Sequence, residues 1–230
     1  MVKKLALPLV IFCIVSMLSV TSANARKRTR NVVRLETSMG VIRIKLSDQT
    51  PIHRDNFKRL VQEGYYDGTL FHRVIRDFMI QGGDPDSKGA PKDSLLGDGG
   101  PDYTLPAEIV YPDLYHRRGM VAAAREPDDV NPEFRSSGSQ FYIVWGRKHT
   151  PQGLKKARAA LMEKGIEMNR FIADAYEVTG GTPHLDGAYT VFGEVIEGLD
   201  VVRRIQLEAT DANDRPLTDV VIEKATIEKR

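Results

Sequence analysis

The chain has 230 residues, with 33 Lys and Arg against 31 Asp and Glu and a single cysteine. So even a charge balance excludes the broad basic footprint of a nucleic-acid binder, and one cysteine excludes a disulfide framework, so stability must come from a buried core. The length suffices for one such core, and no Pro/Ser/Gly-rich linker divides the chain.

At the start, Lys3-Lys4 precede an apolar run from Leu5 to Val20, and Ala23 and Ala25 supply the small residues of a cleavage site. This is the pattern of a secretory signal peptide over residues 1–25. The competing reading, a retained membrane anchor, has against it the shortness of the run and Pro8 within it. Cleavage after Ala25 is expected, giving a periplasmic or secreted protein with no stable membrane insertion. Cys13 follows Phe12 in mid-run, where a lipidated cysteine would need a small residue before it. The remainder holds 31 basic and 31 acidic residues and no cysteine. The basic arm at 26–32 reads as a solvated segment, not a binding patch.

Val33, Leu35 and Thr37, then Ile42, Ile44 and Leu46, alternate with polar residues around Ser38-Met39-Gly40, which predicts a hairpin. Thr50 as N-cap and Pro51 as first helical residue open a helix whose face is Ile52, Asn56, Phe57, Leu60 and Val61, ending at Gly64. Residues 71–84, Phe-His-Arg-Val-Ile-Arg-Asp-Phe-Met-Ile-Gln-Gly-Gly-Asp, read as two short strands joined across Arg76-Asp77. A loop dense in Gly, Pro, Asp and Ser follows through Asp102. Further strands are expected at 119–124, 140–144, 190–195 and 220–227, with a short helix at 199–205. Between Trp145 and Leu185, Thr150 and Pro151 offer a helix start, and Leu154, Ala157, Leu161, Met168, Ile172 and Ala175 recur at helical spacing. Gly165 divides that stretch, and Gly180-Gly181 end it. Many short strands, few helices and a strand at each end predict a mainly β, closed antiparallel barrel.

The 71–84 stretch resembles the central sequence of the cyclophilins, the peptidyl-prolyl cis/trans isomerases. The resemblance returns at Gly138-Ser139-Gln140-Phe141, at Leu185-Asp186-Gly187 and at Val191-Phe192-Gly193. It implies an eight-stranded barrel capped by two helices, spanning 33–230, with the substrate groove on its outer face. The segment at about 147–181 is then a helical insertion, since small members have a much shorter connection there. Its position suggests that it rims the groove and limits which protein clients enter.

The chemistry needs no cofactor. Rotation about an X–Pro bond meets a barrier near ~20 kcal/mol because it breaks amide resonance, while cis and trans differ by about 0.5–1 kcal/mol. On twisting, the prolyl nitrogen becomes a better hydrogen-bond acceptor, and a donor aimed there binds the twisted state preferentially. The resemblance assigns that donor to Arg73 and the holding of the substrate backbone to Gln81. Phe78, Met79 and Leu185 would form the proline pocket, with Tyr142 where a phenylalanine is usual. Ala124 and Arg125 would line the groove for the residues before proline, Arg125 through its main chain. His184 stands where many eukaryotic members carry tryptophan, and Tyr189 where they carry a pocket histidine. Partners are proline-containing peptides and folding proteins. Weak binding of cyclosporin A is expected, because in the family that ligand leans on the missing tryptophan. The runner-up function is a proline-peptide-binding chaperone or scaffold with little turnover, to which Tyr142, whose hydroxyl needs a partner or water if buried, and the insertion lend weight.

Other polar residues read as structural. His53, His72, His116 and His149 lack metal-ligand spacing, and His72 should face away from Arg73. Ser136, Ser137 and Ser139 have no base nearby in sequence and read as loop residues.

Overall fold

In the computed structural model, which describes residues 31–228, each alternating segment becomes a strand. β1 (Val32–Thr37) and β2 (Gly40–Leu46) form the opening hairpin, with Val33, Leu35, Ile42, Ile44 and Leu46 all pointing into the core. α1 (Pro51–Gln62) follows. β3 (Arg73–Ile75) and β4 (Met79–Gly82) form the second hairpin, turned at Asp77 with φ +59°. β5 (Thr104–Leu105), β6 (Met120–Ala123), β7 (Ser136–Ser137) and β8 (Phe141–Val144) come next. Then come α2 (Leu154–Glu163), α3 (Arg170–Val178), β9 (Val191–Glu197), α4 (Leu199–Ile205) and β10 (Ile222–Ile227). The signal peptide and most of the basic arm expected from the sequence lie outside the described residues.

Eight strands form one antiparallel sheet in the order β10-β1-β2-β9-β6-β8-β4-β3, while β5 and β7 pair separately. The closed barrel expected from the sequence is therefore corrected to an open half-barrel. Its two edge strands share no ladder. They meet only around the Leu70–Val221 bridge, where Phe71 N–H donates to Val220 O at 2.9 Å. The reason is local: β3 has only three residues, and the Val74 N–H that a closing ladder could use donates instead to Asp214 O at 2.8 Å.

Period two sorts the sheet into two faces. Val74, Ile80, Val121, Ala123, Phe141, Ile143 and Phe192 point inward with the β1–β2 residues, and α1 and α4 cover them. Phe57 of α1 meets Phe141 edge-on at 5.3 Å. Each such buried aromatic contributes about 1.5–3 kcal/mol by removal from water.

Two details of α1 differ from the sequence reading. Thr50 makes no side-chain cap; the Glu108 carboxylate accepts from Ile52 N–H at 3.1 Å and His53 N–H at 2.9 Å in its place. An anion at a helix N-terminus also meets the favourable end of the helix dipole. The buried face includes His53 and leaves Ile52 exposed, because both ring nitrogens of His53 find partners.

α2 and α3 build a second, smaller core with Tyr115, distinct from the barrel interior. Leu154, Leu161, Met168, Ile172 and Tyr176 are buried there, Gly165 (φ +70°) separates the helices, and Asn169 Oδ1 caps α3 by accepting from Ile172 N–H at 2.9 Å. The helix start expected at Thr150 moves to Leu154. Thr150 Oγ1 accepts from Gly153 N–H at 3.1 Å and so closes the turn before the helix.

Candidate functional site

The site grows out of strand register. Arg73 of β3 pairs with Gln81 of β4, Gln81 with Tyr142 of β8, and Tyr142 with Ala122 of β6. Directly opposed residues share a face, so a cation, an amide and a phenol stand in one row across the outside of the half-barrel. The next row on that face adds Met79 opposite Val144. Together with Met120, Ala122 and Val191 these residues form an apolar layer of their own, edged by Phe78, Ala124, Leu185 and Tyr189.

A cleft of about 170 Å³ opens on this layer. Arg73, Phe78, Met79, Gln81, Ala124, Arg125, Tyr142, Leu185 and Tyr189 line it, so the structure brings nine of the ten candidate residues to one place. His184 does not line the cleft. It stacks on Phe78 at 5.6 Å, just outside.

Each polar group is held by a partner distant in sequence. Arg73 is half-exposed, and its Nε–H donates to Asp214 Oδ2 at 3.4 Å. Gln81 Nε2 donates to Gln140 Oε1 at 2.9 Å, and Gln140 Nε2 donates onward to the carbonyls of Gly97 and Gly99, both at 2.7 Å. That pair ties the loop after β4 to β8. Gly83 permits the approach: it has φ +94°, and a Cβ there would lie 2.4 Å from Ser139 O.

Arg125 is held from the inside. Its side chain is only 1 % exposed. The guanidinium lies 4.2 Å from the Tyr189 ring centre and 4.7 Å from that of Phe134, and Nε–H donates to Ala188 O at 2.8 Å. What it presents to solvent is main chain. The wall it forms also borders a second, larger cleft of about 460 Å³, which shares Gln81, Ala124 and Arg125 with the first. No residue of 150–180 lines either cleft. α2 and α3 pack into their own core with Tyr115, and Lys164 at the end of α2 lies 5.9 Å from the Phe134 ring that packs on Arg125.

The phenol of Tyr142 finds its partner within the protein. Its O–H donates to His116 Nε2 at 3.0 Å, His116 Nδ1–H donates to Asp186 Oδ1 at 2.9 Å, and Tyr176 O–H donates to Asp186 Oδ2 at 2.6 Å. Burial raises both phenols well above their ordinary pKa. The apolar cleft thus rests on a satisfied polar network. His116, read from sequence as a structural histidine without metal-ligand spacing, is its hub. Asp186 was visible only as part of Leu185-Asp186-Gly187, and nothing in the sequence pointed to Tyr176, Asp214 or the Gln81–Gln140 pair.

Ser136 also departs from its sequence reading, since it does have a base beside it. Ser136 Oγ lies 2.9 Å from His53 Nε2, and His53 Nδ1 lies 2.7 Å from Glu108 Oε2. The order imitates a hydrolytic triad. However, Ser136 is 1 % and His53 2 % exposed, and Glu108 is occupied by the two helix N–H groups. Burial lowers the His53 pKa more than Glu108 raises it. The cluster fastens the start of α1 to β7.

Against known proteins, the sequence model of the family described as cyclophilin type peptidyl-prolyl cis-trans isomerase/CLD matches residues 32–227. A Staphylococcus haemolyticus protein named as a peptidyl-prolyl cis-trans isomerase is 37 % identical over 200 residues, covering 86 % of this chain and 91 % of that one. The crystal structure of a Cryptosporidium parvum cyclophilin type peptidyl-prolyl cis-trans isomerase is similar with a TM-score of 0.61 and 27 % identity, covering 87 % of this chain and 98 % of that one. The same Cryptosporidium protein crystallised in the presence of the dipeptide Ala-Pro matches with a TM-score of 0.59 and 27 % identity, covering 86 % of this chain and 99 % of that one.

Proposed function

The chain belongs to the cyclophilin-type peptidyl-prolyl cis-trans isomerases, and from that premise we propose how its own residues turn over an X–Pro bond. The proline ring enters the 170 Å³ cleft against Phe78, Met79, Leu185 and the ring of Tyr142. The Gln81 side-chain amide holds the substrate backbone, oriented by its bond to Gln140. Ala124 and the main chain of Arg125 receive the residues before proline. Arg73 supplies the step itself. With Nε engaged by Asp214, the Nη groups are free to meet the prolyl nitrogen as the bond twists and its lone pair localises. A planar, permanently charged guanidinium suits this better than an ammonium, and the apolar layer beneath it keeps the local dielectric low. No bond is made or broken, and every tenfold in rate requires about 1.4 kcal/mol of preference for the twisted state.

The observation that carries this reading is the single row of Arg73, Gln81 and Tyr142 over an apolar cleft. Its test is exchange spectroscopy on a short X–Pro tetrapeptide with purified protein. Line broadening of the cis and trans signals is expected at substoichiometric enzyme, and its absence would contradict the assignment of these residues.

The clients we assign to it are exported proteins, on the strength of the signal-peptide pattern at 1–25, and the resident compartment is the periplasm or the medium. An intact N-terminus on protein isolated from its native host would exclude this. The domain is assigned to 33–230, with 147–181 as an insertion relative to small family members. His184, standing against Phe78 in place of an indole, offers less apolar area and no matching N–H. Weak binding of cyclosporin A follows, and His184→Trp should tighten it; nanomolar binding by the unmodified protein would contradict this.

A further inference from the structure

Behind the cleft, one imidazole holds two of its walls. His116 and Tyr142 are stacked at 14° with ring centres 6.1 Å apart. The Tyr189 ring closes edge-on against both, at 6.0 Å from Tyr142 and 6.3 Å from His116. Asp186 in turn fixes His116 with two bonds, from the ring at 2.9 Å and from the backbone N–H at 2.8 Å, and takes a third from Tyr176 on α3. Asp186 also directly follows Leu185, which lines the cleft. The chain can pass this closely behind the site because residue 181 is glycine: at φ +148°, a Cβ there would lie 2.3 Å from His116 O and 2.6 Å from the Tyr176 ring.

We propose that His116 and Asp186 are positioning residues that fix the depth of the proline cleft, and thereby the size of the imino-acid ring the enzyme accepts, with Tyr176 coupling that depth to the helical segment. The proposal rests on the reading of the cleft given above. A phenylalanine at 142 would be held by packing alone. The tyrosine is held by its far end as well, so its ring cannot swing down to admit a larger guest without breaking the bond to His116, and that bond cannot shift without disturbing a carboxylate that already serves three donors. Neither His116 nor Asp186 lines the cleft, and Arg73 and Gln81 have partners of their own. Loosening the floor should weaken the binding of planar and twisted substrate alike, which raises KM and leaves kcat nearly unchanged.

The experiment uses the full chain and two matched tetrapeptides, one with proline and one with its six-membered homologue, pipecolic acid. One extra methylene in a well-formed pocket is worth about tenfold or more in discrimination. His116→Phe is expected to raise KM for the prolyl peptide about fivefold, the worth of one buried hydrogen bond, with kcat within about twofold, and to cut the prolyl-over-pipecolyl preference several-fold. Tyr142→Phe removes the same bond from its other end and should shift the preference to the same degree. The double variant should be no worse than either single one, since the two share one interaction. Tyr176→Phe should move the preference in the same direction by a smaller factor, and it carries the test together with Tyr142→Phe if His116→Phe does not fold. An unchanged preference in the folded variants, or additive losses in the double variant, would overturn the proposal. Arg73→Ala is measured alongside: if it kept full turnover, the reading of the cleft would fail, whereas a loss there with unchanged preference in the floor variants would overturn the positioning role alone.

Discussion

The two faces of the half-barrel are made by the same strands yet obey different rules. On the inner face, Val74, Ile80, Val121, Phe141 and Ile143 pack with one another and with α1, and burial of apolar area is enough to specify them. On the outer face their sequence neighbours Arg73, Gln81, Ala122 and Tyr142 line up over an apolar layer, and every polar one depends on a partner far along the chain: Asp214, Gln140 or His116. The inner face is a matter of hydrophobicity and volume. The outer face is a matter of placed polar groups, and at Tyr142 and His116 a missing partner would leave a buried atom unpaired. It follows that the inner face should govern stability and the outer face turnover.

The largest expected effect is on the inner face. Phe141 is 1 % exposed and ringed by Phe57, Tyr66 and Phe71 at 5.3–6.1 Å. Phe141→Ala should cost about 3–5 kcal/mol, as for other buried aromatic truncations, whereas its neighbour Tyr142→Phe should cost about 1 kcal/mol. Urea unfolding of both variants checks this, and similar costs would break the distinction between the faces.

A second test uses pH. Burial lowers the His72 pKa to about 4, the Asp84 charge offsetting only part of it. A folded value below the unfolded one means that the unfolded chain takes up the proton first. Stability is complete above about pH 6.5 and is lost as pH falls through about 4, by up to roughly 3 kcal/mol at 1.36 kcal/mol per unit. His72→Leu should flatten that slope between pH 7 and 4.5 in unfolding titrations, and an unaltered slope would show that other groups set it.

A smaller effect is expected at the polar anchor of α1. Glu108→Gln keeps the shape of the side chain but loses the anionic acceptor that serves Ile52 N–H, His53 N–H and the His53 ring. A cost of about 1–2 kcal/mol is expected, the usual range for a helix cap, read as a shifted denaturation midpoint with turnover per folded molecule preserved. Lost turnover in folded protein would mean that the two faces communicate through this cluster.

The same contrast explains what could be read from the residues in order. Alternation at Val33–Leu46 and Arg73–Gln81 assigned faces correctly, because a strand's period is fixed by its backbone geometry. The long Phe71–Asp84 stretch led to the family and so to nine cleft residues. What escaped was contact between segments. Sequence spacing carries no sign that Gln140 would meet Gln81, that Asp214 would reach Arg73, or that His116 would sit beneath Tyr142. Closure of the barrel failed for the same reason, since it turns on whether a three-residue β3 finds β10 before the Asp214 loop takes its N–H. Thr50 has the side chain of a helix cap, but Glu108, 58 residues further on, holds the position with a charge.

The most direct test of the division between the faces is to measure Arg73→Ala twice on the same sample, for X–Pro turnover and for unfolding by urea. The account predicts at least tenfold lower kcat/KM, equivalent to about 1.4 kcal/mol, with stability within about 0.5 kcal/mol of the starting protein, as for a surface substitution. Arg73→Lys should recover little, since a point charge cannot replace the planar donor fork. Full activity in Arg73→Ala, or a loss of activity that merely follows a loss of fold, would contradict it.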